Sequence, residues 1–556
     1  MTDFVPGSLR AEEPCLVKAG QGFSVYYRQR FLYSKYAPQK AILQTVENLP
    51  ALPETVYLCF SPCLCYGLNE LFERMDGTSV IICVEADSAL KKIAEEKIAD
   101  LKKNHPETKN RIFLTAPDGI EKLVKMPGHY RRVVPVEMSG GTFFYRELYS
   151  QVAAFVQNYA ASFWKNRITL VKFGRVFSRN FFKNLRRIPS ANSVPVKSDI
   201  FTRPIIVFGA GESIEDFLAR IQPQTLSKCA LIAVDAALPV LLKNKVDPDF
   251  VIAVEAQLAI EKAYIGTKSS RAVIIGDLAS RPSVLRHSDK NLYFYSEYTE
   301  SAFLQEAEKQ HILPVKLPPL GSVGLAAVYL ALLMRSEASV PVFFTGLDFS
   351  YSEIFTHARG TPAHTNRLIK TNHFKKIENY DAAFKADAKK IRSTGTENKP
   401  LITDTALSNY ANLFTAFFEK IPNLFDARSK GLDLNLPHAT TAQIDELCRT
   451  FVPKTAGEYN SLFKQKENDF NSAEEKTQSF LKVQKTALMR IKELLSKGQN
   501  ACPPPAPDLQ TELDSLLSGR EYLYLHFPDG YKCDTKNLSF LKRVRSEIDF
   551  FLKDLE

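Results

Sequence analysis

Residues 204–440 alternate short apolar runs with longer amphipathic stretches, which predicts strands and helices in turn. Strands that alternate with helices pair in parallel and are covered on both faces, so we predict an α/β central domain of residues 204–440. The predicted strands are Ile205–Phe208, Leu231–Val234, Phe250–Val254, Val273–Ile275, Leu292–Tyr295 and Pro341–Thr345.

The flanking sequence predicts three further parts. Residues 1–165 carry their own alternation and predict a smaller α/β amino-terminal domain. Residues 166–203 combine a basic amphipathic helix with a proline-punctuated linker. Residues 441–556 show helical periodicity throughout, which predicts an α-helical carboxy-terminal domain.

Two glycine-containing turns of the central domain predict anion binding. Gly209 and Gly211 follow the first strand and precede a helix that begins near Glu212 and Ser213, and Gly321 precedes a second helix that begins at Ser322. Backbone N–H groups at helix amino-termini attract negative charge. We therefore expect both helix starts to face one crevice that holds a ligand with more than one negative charge.

Acidic residues follow several of the predicted strands at the carboxyl edge of the sheet. Asp235, Glu255, Asp277 and Asp348 each come directly or almost directly after an apolar run. Ligands bind at this edge in open parallel sheets. Each carboxylate has an alternative role as a helix cap, and Asp235 and Asp277 are placed for it.

The polar segment after Asp348 contains many groups that suit a ligand site. His357 is able to exchange a proton near neutral pH, and Arg359 is able to hold an anion through two hydrogen bonds. The alternative is a solvated loop without catalytic function. The candidates in this segment are Ser350, Tyr351, Ser352, Glu353, Thr356, His357, Arg359, His364 and Asn366.

Glu85 follows the second strand of the amino-terminal domain, where dinucleotide-binding folds place a carboxylate that holds a ribose. The preceding turn, residues 61–67, has one glycine where such folds use two or three. Ligand binding and a purely structural or docking role both remain open for this domain.

Composition narrows the class of protein. The chain has 556 residues, a formal net charge of +10 and no apolar run of the roughly 20 residues that a membrane-spanning helix needs. The basic residues are dispersed, which favours solvated helix faces over nucleic-acid binding.

Nine cysteines without paired spacing indicate reduced thiols, and Cys59, Cys63 and Cys65 lack a second ligand pair for zinc. We expect a cytoplasmic protein with no tightly bound cofactor.

Several segments, taken in order, resemble the motility-associated factor family of flagellin glycosyltransferases. They are Gly209-Ala-Gly-Glu-Ser213, Ile232-Ala-Val-Asp-Ala-Ala237, Asp247-Pro-Asp249, Gly321-Ser-Val323, Thr345-Gly-Leu-Asp-Phe-Ser-Tyr-Ser352 and Thr356-His-Ala-Arg-Gly360. The resemblance implies a Rossmann-like central domain similar to bacterial sialyltransferases. It also implies transfer of a nonulosonic, sialic-acid-like sugar from a CMP-activated donor to Ser or Thr of flagellin. The chain departs from the family at Glu212, where a proline is usual.

The resemblance assigns roles within the site. Asp348 and His357 would act on the reacting groups, in an inverting displacement with an oxocarbenium-like transition state. The other candidates would bind the donor, and none is assigned to a metal. These donor-binding candidates are Gly209, Gly211, Glu212, Ser213, Asp235, Glu255, Gly321, Ser322, Ser350, Tyr351 and Arg359.

Two other functions remain open from sequence. The central domain also resembles archaeal 6-hydroxymethylpterin diphosphokinases, which would need Mg²⁺ held by Asp235, Glu255 and Asp277. The additional terminal domains argue against that reaction, because a small pterin does not require them. A flagellin-binding protein without catalysis is the third possibility.

Overall fold

The structure, a computed structural model, divides into two compact units, Met1–Thr169 and Leu170–Glu556. It describes residues 13–124, 130–187, 193–194, 200–288, 290–299, 301–351, 355–374, 376, 390–394, 400–455, 457–463, 467–499 and 507–555. The predicted fold class is confirmed, because both units contain parallel sheets and the carboxy-terminal residues are helical. The finer division at residues 165, 203 and 440 stays a prediction.

The amino-terminal unit contains a four-stranded parallel sheet and a small antiparallel sheet. The order of the parallel sheet is β6-β5-β4-β7, and that of the antiparallel sheet is β1-β2-β3. Its strands are β1 (Cys15–Ala19), β2 (Gly22–Tyr27), β3 (Arg30–Phe31), β4 (Thr55–Phe60), β5 (Val80–Val84), β6 (Ile112–Thr115) and β7 (Arg132–Glu137). Its helices are α1 (Lys40–Glu47), α2 (Leu68–Arg74), α3 (Ser88–Asn104) and α4 (Ile120–Val124), and α5 (Arg146–Leu185) contains the boundary between the units.

The carboxy-terminal unit is built on an eight-stranded parallel sheet of order β13-β12-β11-β10-β9-β8-β14-β17. The strands of this unit are β8 (Ile205–Phe208), β9 (Ala230–Val234), β10 (Phe250–Ala253), β11 (Val273–Asp277), β12 (Asn291–Ser296), β13 (Val315–Leu317), β14 (Val342–Thr345), β15 (Lys390–Thr394), β16 (Pro400–Asp404) and β17 (Leu424–Asp426). β15 and β16 form a separate antiparallel hairpin.

Helices cover the large sheet and extend to the end of the chain. They are α6 (Ser213–Arg220), α7 (Pro223–Lys228), α8 (Leu238–Lys243), α9 (Ala302–Lys309), α10 (Val323–Met334), α11 (Pro362–Leu368), α12 (Thr405–Phe418), α13 (Thr441–Leu447), α14 (Glu467–Gln499), α15 (Pro507–Ser518) and α16 (Leu538–Leu555). In the part of the chain that the structure describes, none of the helices combines the length and apolar character needed to cross a membrane.

α10 is the helix that explains the apolar run between Leu325 and Met334. It contacts β8, β9, β10 and β14, and most of its side chains are buried. Gly324 opens the helix with a close approach to the Leu347 side chain, where an added Cβ would lie 2.5 Å from Leu347 Cδ2. A helix that is apolar on all sides belongs in a protein core.

The carboxy-terminal helices pack into the same hydrophobic cluster as the sheet. Phe182 of α5 lies 5.0 Å from the Tyr522 ring and 6.0 Å from the Phe551 ring of α16, and Phe303 of α9 lies 4.9 Å from Tyr522. The cluster is therefore continuous from the sheet to the end of the chain. Fully burying each such ring contributes about 1.5–3 kcal/mol.

Candidate functional site

The topological switch point of the large sheet lies between β8 and β14. The chain proceeds from β8 outward to β13 on one side, and then returns to β14 on the other side. The loops after β8 and β14 therefore flank a crevice at the carboxyl edge, where open α/β sheets bind ligands. These are the loops that carry Gly209, Gly211 and Asp348.

The two loops approach each other through glycine backbones. The Gly209 N–H donates to the Thr345 carbonyl at 2.7 Å, and the Gly211 N–H donates to the Gly346 carbonyl at 2.7 Å. A Cβ added at Gly346, which has φ +73°, would lie 2.6 Å from the Gly209 carbonyl carbon. The amides of Gly209 and Gly211 therefore hold the crevice together, rather than facing an open anion pocket.

Asp348 lies at the amino-terminus of α6. Its Oδ2 accepts the Ser213 N–H at 2.9 Å, and its Oδ1 accepts the Ser213 hydroxyl, which itself accepts the Gly346 N–H at 2.9 Å. Burial raises the pKa of Asp348 to about 6, and the hydrogen bonds from Ser213 oppose that rise. The carboxylate thus supplies the negative charge that this helix start attracts.

The second predicted helix start lies against the first. Ser322 caps α10 by accepting the Gly324 N–H at 3.3 Å, and Gly321 precedes it with φ +68°. Added Cβ atoms at Gly209 and Gly324 would both collide with the Leu347 side chain. The structure therefore brings the loop before α10 and the loop after β8 together at the Leu347 side chain.

Glu212 and Arg359 both form ion pairs. Glu212 Oε2 lies 3.5 Å from Lys430 Nζ, so the carboxylate that departs from the family pattern is offset by a neighbouring cation. Arg359 donates its Nε–H to Glu215 Oε2 at 2.7 Å, and its backbone N–H to Glu215 Oε1 at 2.6 Å. Arg359 therefore lies beside α6, where its side chain is exposed.

His357 lies in the loop that covers the glycine turn. The neighbouring Ala358 N–H donates to the Ala210 carbonyl at 2.9 Å, which fixes this loop on the turn. His357 Nδ1 lies 2.9 Å from Thr356 Oγ1, and the same hydroxyl accepts an N–H from Arg367 at 2.7 Å. Burial, with a smaller contribution from the Arg367 charge, lowers the pKa of His357. The imidazole is therefore neutral at pH 7.

The other strand-end acids differ in how they are satisfied. Both oxygens of Asp277 accept backbone N–H groups, from Ala279 at 2.7 Å and Ser296 at 3.0 Å. Exposed Glu255 accepts the Gln257 N–H at 2.9 Å. Asp235 is buried, its Oδ2 has no hydrogen-bond partner, and burial raises its pKa to about 7. Asp277 therefore anchors the turn after β11, and because no helix begins at the described residues there, the helix-cap alternative is wrong for this residue.

The remaining candidates from the loop after β14 extend away from the glycine turn. Tyr351 donates its hydroxyl to Asp404 Oδ2 at 2.8 Å and pairs its backbone with Ile402 of β16. Ser350, before it, is partly exposed. Ser352 and Glu353 lie outside the described residues.

Sequence reasoning missed the buried Arg428. Its guanidinium is fully buried, and it donates to both oxygens of Asp426, at 2.8 and 2.5 Å, and to the Leu347 carbonyl at 2.8 Å. The charge of Arg428 also lowers the pKa of Asp348 against the effect of burial. The only available signal was Asp426-Ala-Arg428, at the end of a strand too short to stand out.

In the amino-terminal unit, Glu85, the carboxylate predicted to hold a ribose, forms hydrogen bonds within the protein. Glu85 accepts the Ser61 hydroxyl at 3.0 Å, the Tyr149 hydroxyl at 3.0 Å and the Asp87 N–H at 3.1 Å. Burial raises the pKa of Glu85. These contacts favour the structural alternative, and the cysteines in the described part of the chain are free thiols.

Comparisons with known proteins bear on the fold and on the family of this chain. Residues 179–353 match the family described as 6-hydroxymethylpterin diphosphokinase MptE-like. An uncharacterized protein of Treponema pallidum (strain Nichols) is 31% identical over 581 residues, covering 99% of this chain and 96% of that protein. A solved Maf glycosyltransferase from Magnetospirillum magneticum AMB-1 is similar in fold, with a TM-score of 0.58 and 14% identity over 98% of this chain and 91% of that chain. The resemblance drawn from the sequence is thereby confirmed at the level of the fold.

Proposed function

We propose a function for this chain from its similarities to known proteins. The chain belongs to the same family as the Treponema pallidum protein. It has the fold of a Maf glycosyltransferase, and its central region matches the MptE-like family. The chain is a cytoplasmic protein O-glycosyltransferase. It moves a nonulosonic sugar from a CMP-activated donor to Ser or Thr of flagellin. The free, largely buried cysteines fit a reducing compartment.

One observation supports this proposal most directly. The amino-termini of α6 and α10, each preceded by a glycine turn, lie near the loop of the neutral His357 at the switch point of the sheet. Asp348 already neutralises the start of α6. The start of α10 at Ser322 is then the better place for an anionic group of the donor. Glu212 and Lys430 form a mixed-charge rim, which suits a ribose hydroxyl more than a second phosphate.

The hydrogen bonds around His357 suggest which ring nitrogen carries its proton. Thr356 Oγ1 accepts an N–H from Arg367, so its own proton is available for His357 Nδ1. In that arrangement Nδ1 is the acceptor and Nε2 carries the hydrogen. A neutral Nε2–H donates a hydrogen bond to an oxygen that gains negative charge, so we assign His357 to the leaving phosphate.

The proposed reaction is a single displacement at the anomeric carbon of the sugar. The bond to the CMP phosphate oxygen breaks and its electron pair leaves with CMP, while a Ser or Thr hydroxyl oxygen of the acceptor forms the new bond. The hydroxyl proton passes to the released phosphate or to water. One displacement inverts the configuration, and the oxocarbenium-like transition state is stabilised by fixed dipoles around both anions.

The test is transfer by the purified chain from CMP-activated nonulosonate to flagellin, measured by intact-protein mass spectrometry. His357→Ala is expected to abolish the mass gain while CMP binding, measured by calorimetry, remains. The exposed loop residue His373 provides a matched control, and His373→Ala should retain transfer. Turnover by His357→Ala at the wild-type rate would remove His357 from the mechanism.

The match to the MptE-like family supports one alternative, a diphosphokinase-like phosphotransferase. That reaction would use Asp235, Glu255 and Asp277 as ligands of one Mg²⁺. Both oxygens of Asp277 already accept backbone amides, so this set fits the ion poorly. Mg²⁺-dependent release of AMP from ATP with a hydroxymethylpterin substrate, without sugar transfer, would favour the alternative. A flagellin complex that persists without any transfer would instead identify a non-catalytic binding protein.

A further inference from the structure

A cavity of about 870 Å³ lies at the amino-terminal edge of the large sheet, at the opposite ends of the strands from the glycine turns. Leu231 and Val273, at the starts of β9 and β11, form part of its lining. Residues 454–455, 457–459 and 463 form the facing wall. Its size falls within the range of small-molecule sites, roughly 300–1,000 Å³.

The acidic residues of the cavity are already engaged by the protein. Asp249 Oδ2 accepts the Leu231 N–H at 2.8 Å and lies 2.5 Å from Lys454 Nζ. Glu458 receives two hydrogen bonds from Arg203, at 2.7 and 2.9 Å. Since the Lys454 and Arg203 charges offset these two carboxylates, they add little negative potential to the cavity.

Asp247 is held mainly by two uncharged donors instead. It accepts the Ser270 hydroxyl at 2.7 Å and the Arg271 backbone N–H at 3.2 Å, so it anchors the turn before β11. The Arg271 side chain is only loosely associated with it, at 3.6 Å, and is 86% exposed. The Arg271 guanidinium therefore retains donors for a ligand.

Lys245 is a further cation of the cavity. It follows α8, its side chain is exposed, and it forms no ion pair with the described residues. The lining carries four cations, Lys245, Arg271, Lys290 and Lys454, against the three carboxylates of Asp247, Asp249 and Glu458, and Glu458 is also paired with Arg203 from outside the lining. A positive excess therefore remains. An anionic group of a ligand is the group that this part of the cavity favours.

The rest of the lining is mixed, with polar Ser227, Asn244 and Thr455 beside apolar side chains and two aromatic rings. Tyr459 packs against Phe250 at 5.1 Å and Phe201 at 5.6 Å, so its ring is held rigidly, and Phe463 lies in the same wall. Pro223 and Pro248 contribute further flat apolar surface. Such walls favour a ligand with a planar ring.

We propose that this cavity is a second ligand site, which binds a small organic anion with a planar ring, of the nucleoside monophosphate class. Lys245 and Arg271 hold the phosphate, and the wall with Tyr459 and Phe463 receives the ring. The site lies at the opposite edge of the sheet from the donor crevice. AMP binding at this site is therefore measurable without sugar transfer.

The test uses AMP as probe with the purified full-length chain, because its base differs from that of the proposed CMP donor. Calorimetry is expected to show AMP binding to the wild type. The Lys245→Glu, Arg271→Glu double variant should weaken binding at least tenfold. Adenosine, which lacks the phosphate, and ribose 5-phosphate, which lacks the ring, should each bind more weakly than AMP.

A matched control makes the same two charge reversals outside the cavity, in the same unit. Lys309 and Lys482 are exposed and lie outside the cavity, so Lys309→Glu, Lys482→Glu should bind AMP like the wild type. No AMP binding by the wild type, or equal weakening in both double variants, would overturn the proposal. Ribose 5-phosphate binding as tightly as AMP would contradict the ring-binding wall. Sugar transfer is measured separately, so its failure is distinguishable from failure here.

Discussion

Ser213 and Asp348 are held together by two hydrogen bonds, from the serine N–H and hydroxyl to the two oxygens of the carboxylate. The residues are 135 positions apart in the chain and join the loop after β8 to the loop after β14. An aspartate predicted to be catalytic thus also fixes the crevice in which catalysis is proposed. Its direct contact with a substrate stays a prediction.

Gly211→Ala tests how tightly this crevice is built. An added Cβ would lie 2.6 Å from Asp348 Oδ2 and 2.8 Å from the Gly346 carbonyl oxygen. We expect a loss of about 1–3 kcal/mol in the free energy of unfolding, because neither neighbour is able to move freely. Gly519→Ala is the control, since nothing lies within 4 Å of its added Cβ. Equal stability of the two variants in urea denaturation would contradict the packing described.

Asp235 makes the stability of the carboxy-terminal unit depend on pH. Its pKa is about 7 in the folded chain against an ordinary value of 3.8, because it is buried. Its stabilising contribution is therefore full below about pH 4, and it is lost as the pH rises through 7. Asp235→Asn removes this loss. The free energy of unfolding of the variant, measured with denaturant, should exceed that of the wild type by an amount that grows by roughly 2–3 kcal/mol from pH 5 to pH 8. A difference that is constant with pH would show that Asp235 does not titrate in this range.

Arg428→Met is expected to destabilise the chain strongly. The substitution leaves the Asp426 carboxylate buried without its cation, at a cost of about 3–5 kcal/mol. The double variant Asp426→Asn, Arg428→Met removes both charges and should recover part of that loss. Thermal unfolding of the three proteins decides the question. A single variant as stable as the wild type would mean that water reaches Asp426.

Arg359→Ala separates donor binding from the ion pair with Glu215. The pair is exposed on the arginine side, so the variant should lose less than about 1 kcal/mol of stability. If Arg359 contacts the donor, its removal raises the KM for the CMP-sugar. Glu215→Ala, which frees the guanidinium, should leave KM unchanged or lower it. Parallel rises in KM for both variants would indicate that the pair only positions the loop.

Local pattern was enough to predict most strands of both parallel sheets. The predicted run Ile205–Phe208 matches β8 residue for residue, and Leu231–Val234 differs from β9 by one residue, since strands buried on both faces are continuous apolar segments. β13 and β17 were missed. Each has three residues and is an edge strand of the sheet, so each pairs with one neighbouring strand instead of two.

The sequence by itself determined the alternation of strands and helices, the two glycine turns and the acids at the strand ends, because these depend on periodicity and on the backbone freedom of glycine. Only the tertiary structure decided how those groups are used. In the folded chain the Gly209 and Gly211 amides donate to backbone carbonyls, and Asp348 accepts hydrogen bonds from Ser213. Glu212 forms an ion pair with Lys430, and the buried Arg428 forms one with Asp426. Hydrogen-bond partners in a folded chain are set by proximity between residues far apart in sequence, and no local pattern encodes that proximity.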